Sequence, residues 1–245
     1  GGPVLQGSGA TTRTALDYWN EERALVKVGG ASVPSADVAH VHIQGLVLEG
    51  AHPDHTFTDD RGEAQSYNDN AACIFVESGA HVTVRDNELR GCANGLFVAS
   101  AASDVVVAQN RIHGNGVVGS FYQHGSYTEA VGITFEFNHY SSLMDGADGN
   151  ALKDRSTGTV IRANWIDGGN RQLDLVDSGS ATFHADPSYA DAQVYGNVLV
   201  EPDGAGNSQI IHWGGDSGTT GNYRPGTLHL FHNTIVSTRP GNTTL

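Results

Sequence analysis

Four side chains carry the chemistry that this sequence offers: Lys153, Arg155, His124 and Asp174. Lysine and arginine neutralise a carboxylate, while histidine or tyrosine accepts and donates protons. Their spacing gains meaning if Ala151–Lys153 and Leu173–Val176 are short strands on successive turns of a coil. With Leu152 and Leu173 inward, Lys153 and Asp174 point outward on adjacent rungs, about 4.8 Å apart. A strand at Phe121–His124 would put Tyr122 and His124 on the preceding rung, with Arg155 at the end of the Lys153 rung. Tyr127, Glu129, Arg171, Asp177, His212 and Trp213 flank this column as candidate substrate contacts. The set suits proton abstraction beside a carboxylate, where a cation must stabilise the enolate-like charge that develops.

Plainer roles stand beside these. Lys153 and Asp174 can form a solvated ion pair, and Arg155 can clamp corner carbonyls. Glu129 can close a loop, and Trp213 can pack at a strand end. Of the 12 histidines, His40, His42 and His81 read as strand surface, and His113, His139, His229 and His232 as structural. Asp145, Asp148, Asp154 and Asp167 offer oxygen ligands for calcium, but without a regular ligand spacing.

The elements that must position these residues come from a repeat. Val82–Leu89, Val105–Ile112, Ile133–Tyr140, Val160–Ile166, Val194–Leu199 and Leu228–Ile235 share an apolar alternation, then Asn, any residue and an apolar residue. The asparagines fall at 87, 110, 138, 164, 197 and 233, spaced by 23, 28, 26, 33 and 36. Val41–Leu48 is an earlier copy without the Asn. Period-2 alternation means strand, and so short a strand buries its inner face only when copies stack. Asn tolerates a tight left-handed corner and can bond the next coil's Asn along a ladder. An antiparallel sandwich would instead show Asn-Gly or Asp-Gly at each hairpin. The expected fold is therefore an all-β parallel solenoid of about seven to eight coils spanning 1–245.

A second set of strands is read at Ala72–Val76, Gly95–Val98, Phe121–His124, Ala151–Lys153, Leu173–Val176 and Gln209–Trp213, with Leu25–Val28 upstream. Insertions near 52–70, 116–130, 178–191 and 214–226 are loops on this scaffold. The start shows no amphipathic capping helix and the sequence stops at Thr244–Leu245 where another strand would begin, so the chain reads as part of a longer solenoid whose end coils would favour self-association.

Composition narrows the partners. The net charge of −14, with only 13 Lys and Arg, argues against nucleic acid or an anionic membrane as partner. It opposes a polyanionic sugar at long range, although a local basic patch can override that within a Debye length of about 8–10 Å. No apolar run approaches the roughly 18 residues of a membrane span. Cys73 and Cys92 form no CxxC pair, which argues against zinc. Cys73 aligns with Gly95, leaving Cys92 about three residues out of step, an offset that favours two buried thiols, with a disulfide through a bent corner as the alternative.

The run Gly149–Ser178 resembles bacterial right-handed parallel β-helix proteins of the pectate-lyase-like superfamily, the kind labelled polysaccharide-degrading. Asn70–Val98, His124–Tyr140 and Glu201–Gly218 are similar in order and spacing, so the likeness covers most of 38–245. It implies a right-handed solenoid, a secreted or periplasmic location and a polysaccharide substrate. The superfamily holds pectate, chondroitinase-like and alginate lyases, polygalacturonases, epimerases and phage tailspikes. The implied activity is a lyase cleaving a uronic-acid polymer by β-elimination. Its rivals are a glycoside hydrolase pairing Asp174 with Glu129 or Asp177, and a non-catalytic glycan-binding or structural segment. Lys153 matches the lysine of the chondroitinase-like pattern, but the distal arginine expected near Leu173–Asp177 is missing and Arg171 is the nearest. The clustered Asp and downstream Arg-x-Lys of polygalacturonases are absent.

Overall fold

A computed structural model describes residues 2–16, 19–30 and 38–245, without the side chain of Leu16. It is a parallel β-helix. One sheet has eight strands, from Val4–Gln6 through Val47–Glu49, Glu88–Arg90, Arg111–His113, His139–Tyr140, Trp165–Ile166 and Val198–Glu201 to Thr234–Ser237. An eleven-stranded sheet forms the remaining two faces, because each coil runs through both of them: Asn94–Ala108 is one strand with a register shift at its bend.

The apolar alternation builds the core by stacking like on like. Leu48, Leu89, Ile112, Tyr140, Ile166 and Leu199 form one inward row, each paired with the next and buried. Val84, Val107, Phe135, Ile161 and Val194 form another. Each such side chain contributes about 1.5–3 kcal/mol through burial.

The repeated asparagine stacks as a ladder at the corner between sheets. The amide Nδ2 of Asn87 donates to Asn110 Oδ1 at 3.1 Å, Asn110 to Asn138 at 3.0 Å and Asn138 to Asn164 at 3.0 Å. Asn164 donates to Asn197 at 3.0 Å and Asn197 to Asn233 at 2.9 Å. Each Oδ1 also accepts the backbone N–H of the preceding Asn. The left-handed residue at this corner is the one before the asparagine: Asp86, Gln109, Phe137 and Ala163 have φ between 53° and 56°. The motif is therefore strand, corner and next strand, and the Asn serves as corner cross-link.

Three further expectations change. Phe121–His124 is not a strand: the rung after Leu96–Val98 is Ser126–Thr128, where the strand Ser126–Glu136 begins. Its inward positions, Ser126 and Thr128, are polar, which hides the rung from an apolar pattern, whereas Phe121 and Tyr122 are exposed loop residues. Cys73 and Cys92 are disulfide-bonded, with Cα atoms 5.6 Å apart. Cys92 is out of step because it lies in the turn before Asn94–Ala108, and the bridge runs from strand to corner. By chain entropy alone such a 19-residue crosslink contributes about 3 kcal/mol. The insertions also carry structure of their own, an antiparallel hairpin of Thr56–Thr58 with Ala64–Ser66 and a four-residue helix, Ala181–His184. No helix among the described residues is long and apolar enough to cross a membrane.

Replacing Asn138 with Ala leaves the Asn110 amide and the Val107 carbonyl without their partner. The expected cost is about 1–3 kcal/mol in urea unfolding. An unmoved midpoint would mean that the ladder does not hold the coils.

Candidate functional site

The outward row on one face of the longer sheet runs Phe75, Phe97, Tyr127, Lys153, Asp174 and His212, each directly paired with the next. Lys153 and Asp174 are thus adjacent, as the spacing predicts. Tyr127, and not Tyr122, occupies the preceding rung. Insertions rise beside this row and enclose a cleft of about 780 Å³, lined by Tyr122, His124, Tyr127, Lys153, Arg155, Arg171 and Asp174.

His124 owes its position to a second ladder. Its backbone N–H donates to Asn94 Oδ1 at 2.9 Å, its ring Nδ1 accepts the N–H of Asn150 at 2.9 Å, and Asn150 Oδ1 accepts the N–H of Arg171 at 3.1 Å. The imidazole takes the place of an asparagine in this column. Gly149 permits the close approach, since a Cβ there would lie 1.7 Å from the Gln123 carbonyl oxygen. Burial, then the positive charges of Lys153 and Arg155, push the His124 pKa down to about 3. With Nδ1 occupied as an acceptor, the neutral ring carries its proton on Nε2. His124 therefore offers the cleft an N–H donor and cannot serve as a base through Nδ1.

Asp174 is the hub of the charges. Its side chain is 1% exposed and lies 3.1 Å from Lys153 Nζ, 2.8 Å from His212 Nδ1 and 3.5 Å from Arg171 Nη1. Asn150 Nδ2 donates to it at 2.8 Å. Burial alone would raise its pKa, but His212, Lys153 and Arg171 outweigh that and hold the carboxyl well below the usual carboxylate range. Arg155 donates through Nε to Tyr127 Oη at 3.0 Å and through Nη1 to the Asp177 carbonyl. Asp216 pairs with both cations, contacting Lys153 Nζ and lying 2.9 Å from Arg155 Nη2.

A family model described as the right handed beta helix region matches residues 64–222. The chain belongs to the right-handed β-helix family. No curated protein and no solved structure matches it.

Within this right-handed β-helix Glu129, Asp177 and Trp213 lie outside the cleft lining, whereas Asp148 is part of it. Glu129 accepts the Ser178 hydroxyl. Asp177, 1% exposed, accepts the N–H groups of Asp216 and Ser217, so it secures a loop. Trp213 pairs with inward Leu175 and packs on the core, with the Arg224 guanidinium 5.2 Å from its ring. The four aspartates proposed for calcium do not converge. Asp154 points into the core, accepting the hydroxyls of Thr128 at 2.7 Å and Thr159 at 2.6 Å, while Asp167 accepts Trp165 Nε1. No cluster of three metal-ligating His, Cys, Asp or Glu side chains occurs among the described residues.

Asn150 and Asp216 escaped the sequence reading. Asn150 was detectable: Asn94-Gly-Leu, His124-Gly-Ser and Asn150-Ala-Leu share one pattern once the polar rung is recognised. Asp216 gives no such signal, because it lies in an insertion and meets Lys153 across 63 residues.

Unfolded, His124 titrates near 6.5, and folded near 3. In that window the unfolded chain binds more protons, so stability is complete above it and falls as pH drops through it. His124→Asn, which keeps a ladder acceptor, should remove much of that acid-side slope in urea unfolding. Ring ¹⁵N shifts should show Nε2 protonated and no titration between about pH 5 and 8. An imidazolium in that range would refute the assignment.

Proposed function

We propose that the cleft binds a uronic-acid-containing polysaccharide and cleaves it by β-elimination. One observation carries this reading: in a chain of net charge −14, Lys153, Arg155 and Arg171 all line one cleft, beside Asp69, Asp148, Asp174 and Asp216. A carboxylate-bearing sugar supplies the charge such a cluster recognises, and its enolate-like intermediate is what the cluster stabilises.

We assign Lys153 and Arg155 to the substrate carboxylate. The His124 Nε2–H donates toward the same developing charge. Tyr127 enters as the phenolate beside Arg155, and its Oη accepts the α-proton while the electrons form the C=C bond and expel the β-oxygen. It then returns a proton to that oxygen, and both transfers occur beside the fixed Arg155 cation. Asp174 orients Lys153 and His212. Hydrolysis is less well supported, because it needs one carboxyl kept protonated as general acid. Asp174 is driven the other way, and neither Glu129 nor Asp177 lines the cleft. The disulfide supports a secreted or periplasmic setting.

A panel of acidic and neutral polysaccharides, read by ultraviolet absorbance and by reducing ends, tests this. Elimination gives both signals together, hydrolysis gives reducing ends alone, and a binding module gives neither. Lys153→Ala and Tyr127→Phe should each lower turnover by at least about 10²-fold, with the fold retained. Lys153→Arg should restore part of the activity if Lys153 acts only as a cation. Full activity in Lys153→Ala would overturn the assignment.

A further inference from the structure

The cations of the cleft are already occupied. Asp216 spans the Lys153–Arg155 fork: Oδ1 lies 2.9 Å from Arg155 Nη2, while Oδ2 contacts Lys153 Nζ and lies 3.2 Å from Arg155 Nη2. This two-oxygen contact is the one that a ligand carboxylate would make.

The fork and its occupant differ in how they are held. Lys153 and Arg155 rise from the coil itself, on and just after Leu152–Asp154. Asp216 belongs to the strap 214–226, whose backbone is fastened independently of its carboxylate. Asp177 accepts the N–H groups of Asp216 at 2.8 Å and Ser217 at 3.3 Å, and the Ser217 hydroxyl bonds to it as well. The Arg224 N–H donates to the Gly214 carbonyl at 2.9 Å and closes the strap. Its side chain, 1% exposed, runs under the strap past the rings of Tyr189 and Trp213 to the Ser156 carbonyl. The Asp216 carboxylate, 29% exposed, can therefore leave the fork by a side-chain rotation while the strap stays down. The other carboxylates cannot. Asp174 and Asp177 are each 1% exposed and tied by several hydrogen bonds.

We propose that Asp216 is an exchangeable internal ligand, which fills the Lys153–Arg155 fork and is displaced by the carboxylate of an acidic sugar. It keeps the two cations paired when the cleft is empty and makes every anion compete for them. Selectivity follows from this competition. A small carboxylate with no further contacts is held off, whereas a sugar that also reaches the surrounding polar side chains can displace Asp216. Only the choice of an acidic sugar rests on the function proposed above.

Calorimetric titration of Asp216→Asn and Asp216→Ser with acetate, galacturonate and galactose tests this. If the fork is open in about one molecule in ten, freeing it should tighten acetate and galacturonate by about tenfold and leave galactose unchanged. The thermal midpoint should stay close to wild type, because the strap is anchored through backbone and through Arg224. No gain for either carboxylate in either folded variant overturns the proposal, as does an equal gain for galactose. A gain without cleavage of any polymer would keep the internal ligand and remove the lyase. Cleavage by the wild type with no gain in the variants would do the reverse.

Discussion

The asparagine ladder from Asn87 to Asn233 determines how each coil sits on its neighbour. Every buried amide in it is bonded along the stack and to a strand carbonyl, such as Asn138 to Val107. A slip of one residue would strand these groups and turn the inward rows outward, so register is all or none. Once register is locked, outward side chains also stack in rows at the strand spacing. Tyr127, Lys153, Asp174 and His212 become neighbours for that reason, although 85 positions separate the first from the last (212 − 127).

The same device shapes the chemistry of the cleft. In the second ladder His124 stands between Asn94 and Asn150 and uses its Nδ1 as those residues use Oδ1. A ring nitrogen committed to the scaffold is unavailable to a reacting proton, and burial beside Lys153 and Arg155 keeps the ring neutral. The scaffold thus presents a rigid N–H donor at the point where a free histidine would be an acid or a base. Within the core, Asp154 is tied to Thr128 and Thr159 on inward positions, so it cannot share the work of Asp174 despite lying on the paired strand.

Insertions contribute through anchors rather than through the coil repeat. The hairpin near the start packs Phe57 against Tyr67 with ring centroids 4.8 Å apart, and Tyr67 bonds to the Gly7 carbonyl. The 214–226 strap is held by Arg224 and Asp177. The coils supply the cations of the cleft and the strap supplies a counter-charge, so a coil and an insertion share one ion network.

The fold class was legible from sequence because a buried ladder and period-2 apolar rows impose themselves on every coil. Asn-x-apolar recurs, and Leu152 and Leu173 announce which way Lys153 and Asp174 point. Rows built of exceptions were not legible. Ser126 and Thr128 are polar yet inward, because Ser126 bonds to Tyr140 and Thr128 to Asp154, and both partners come from other strands. That hid the rung and misplaced Tyr122. The disulfide was misjudged for a related reason, since a corner residue does not follow strand register. Local periodicity determines which residues face inward, but contacts between a coil and an insertion have no period. The pairing of Asp216 with Lys153 and Arg155, the seat of Arg224 and the tautomer of His124 were decided only when the chain closed on itself, where burial and neighbouring charge select one partner among many.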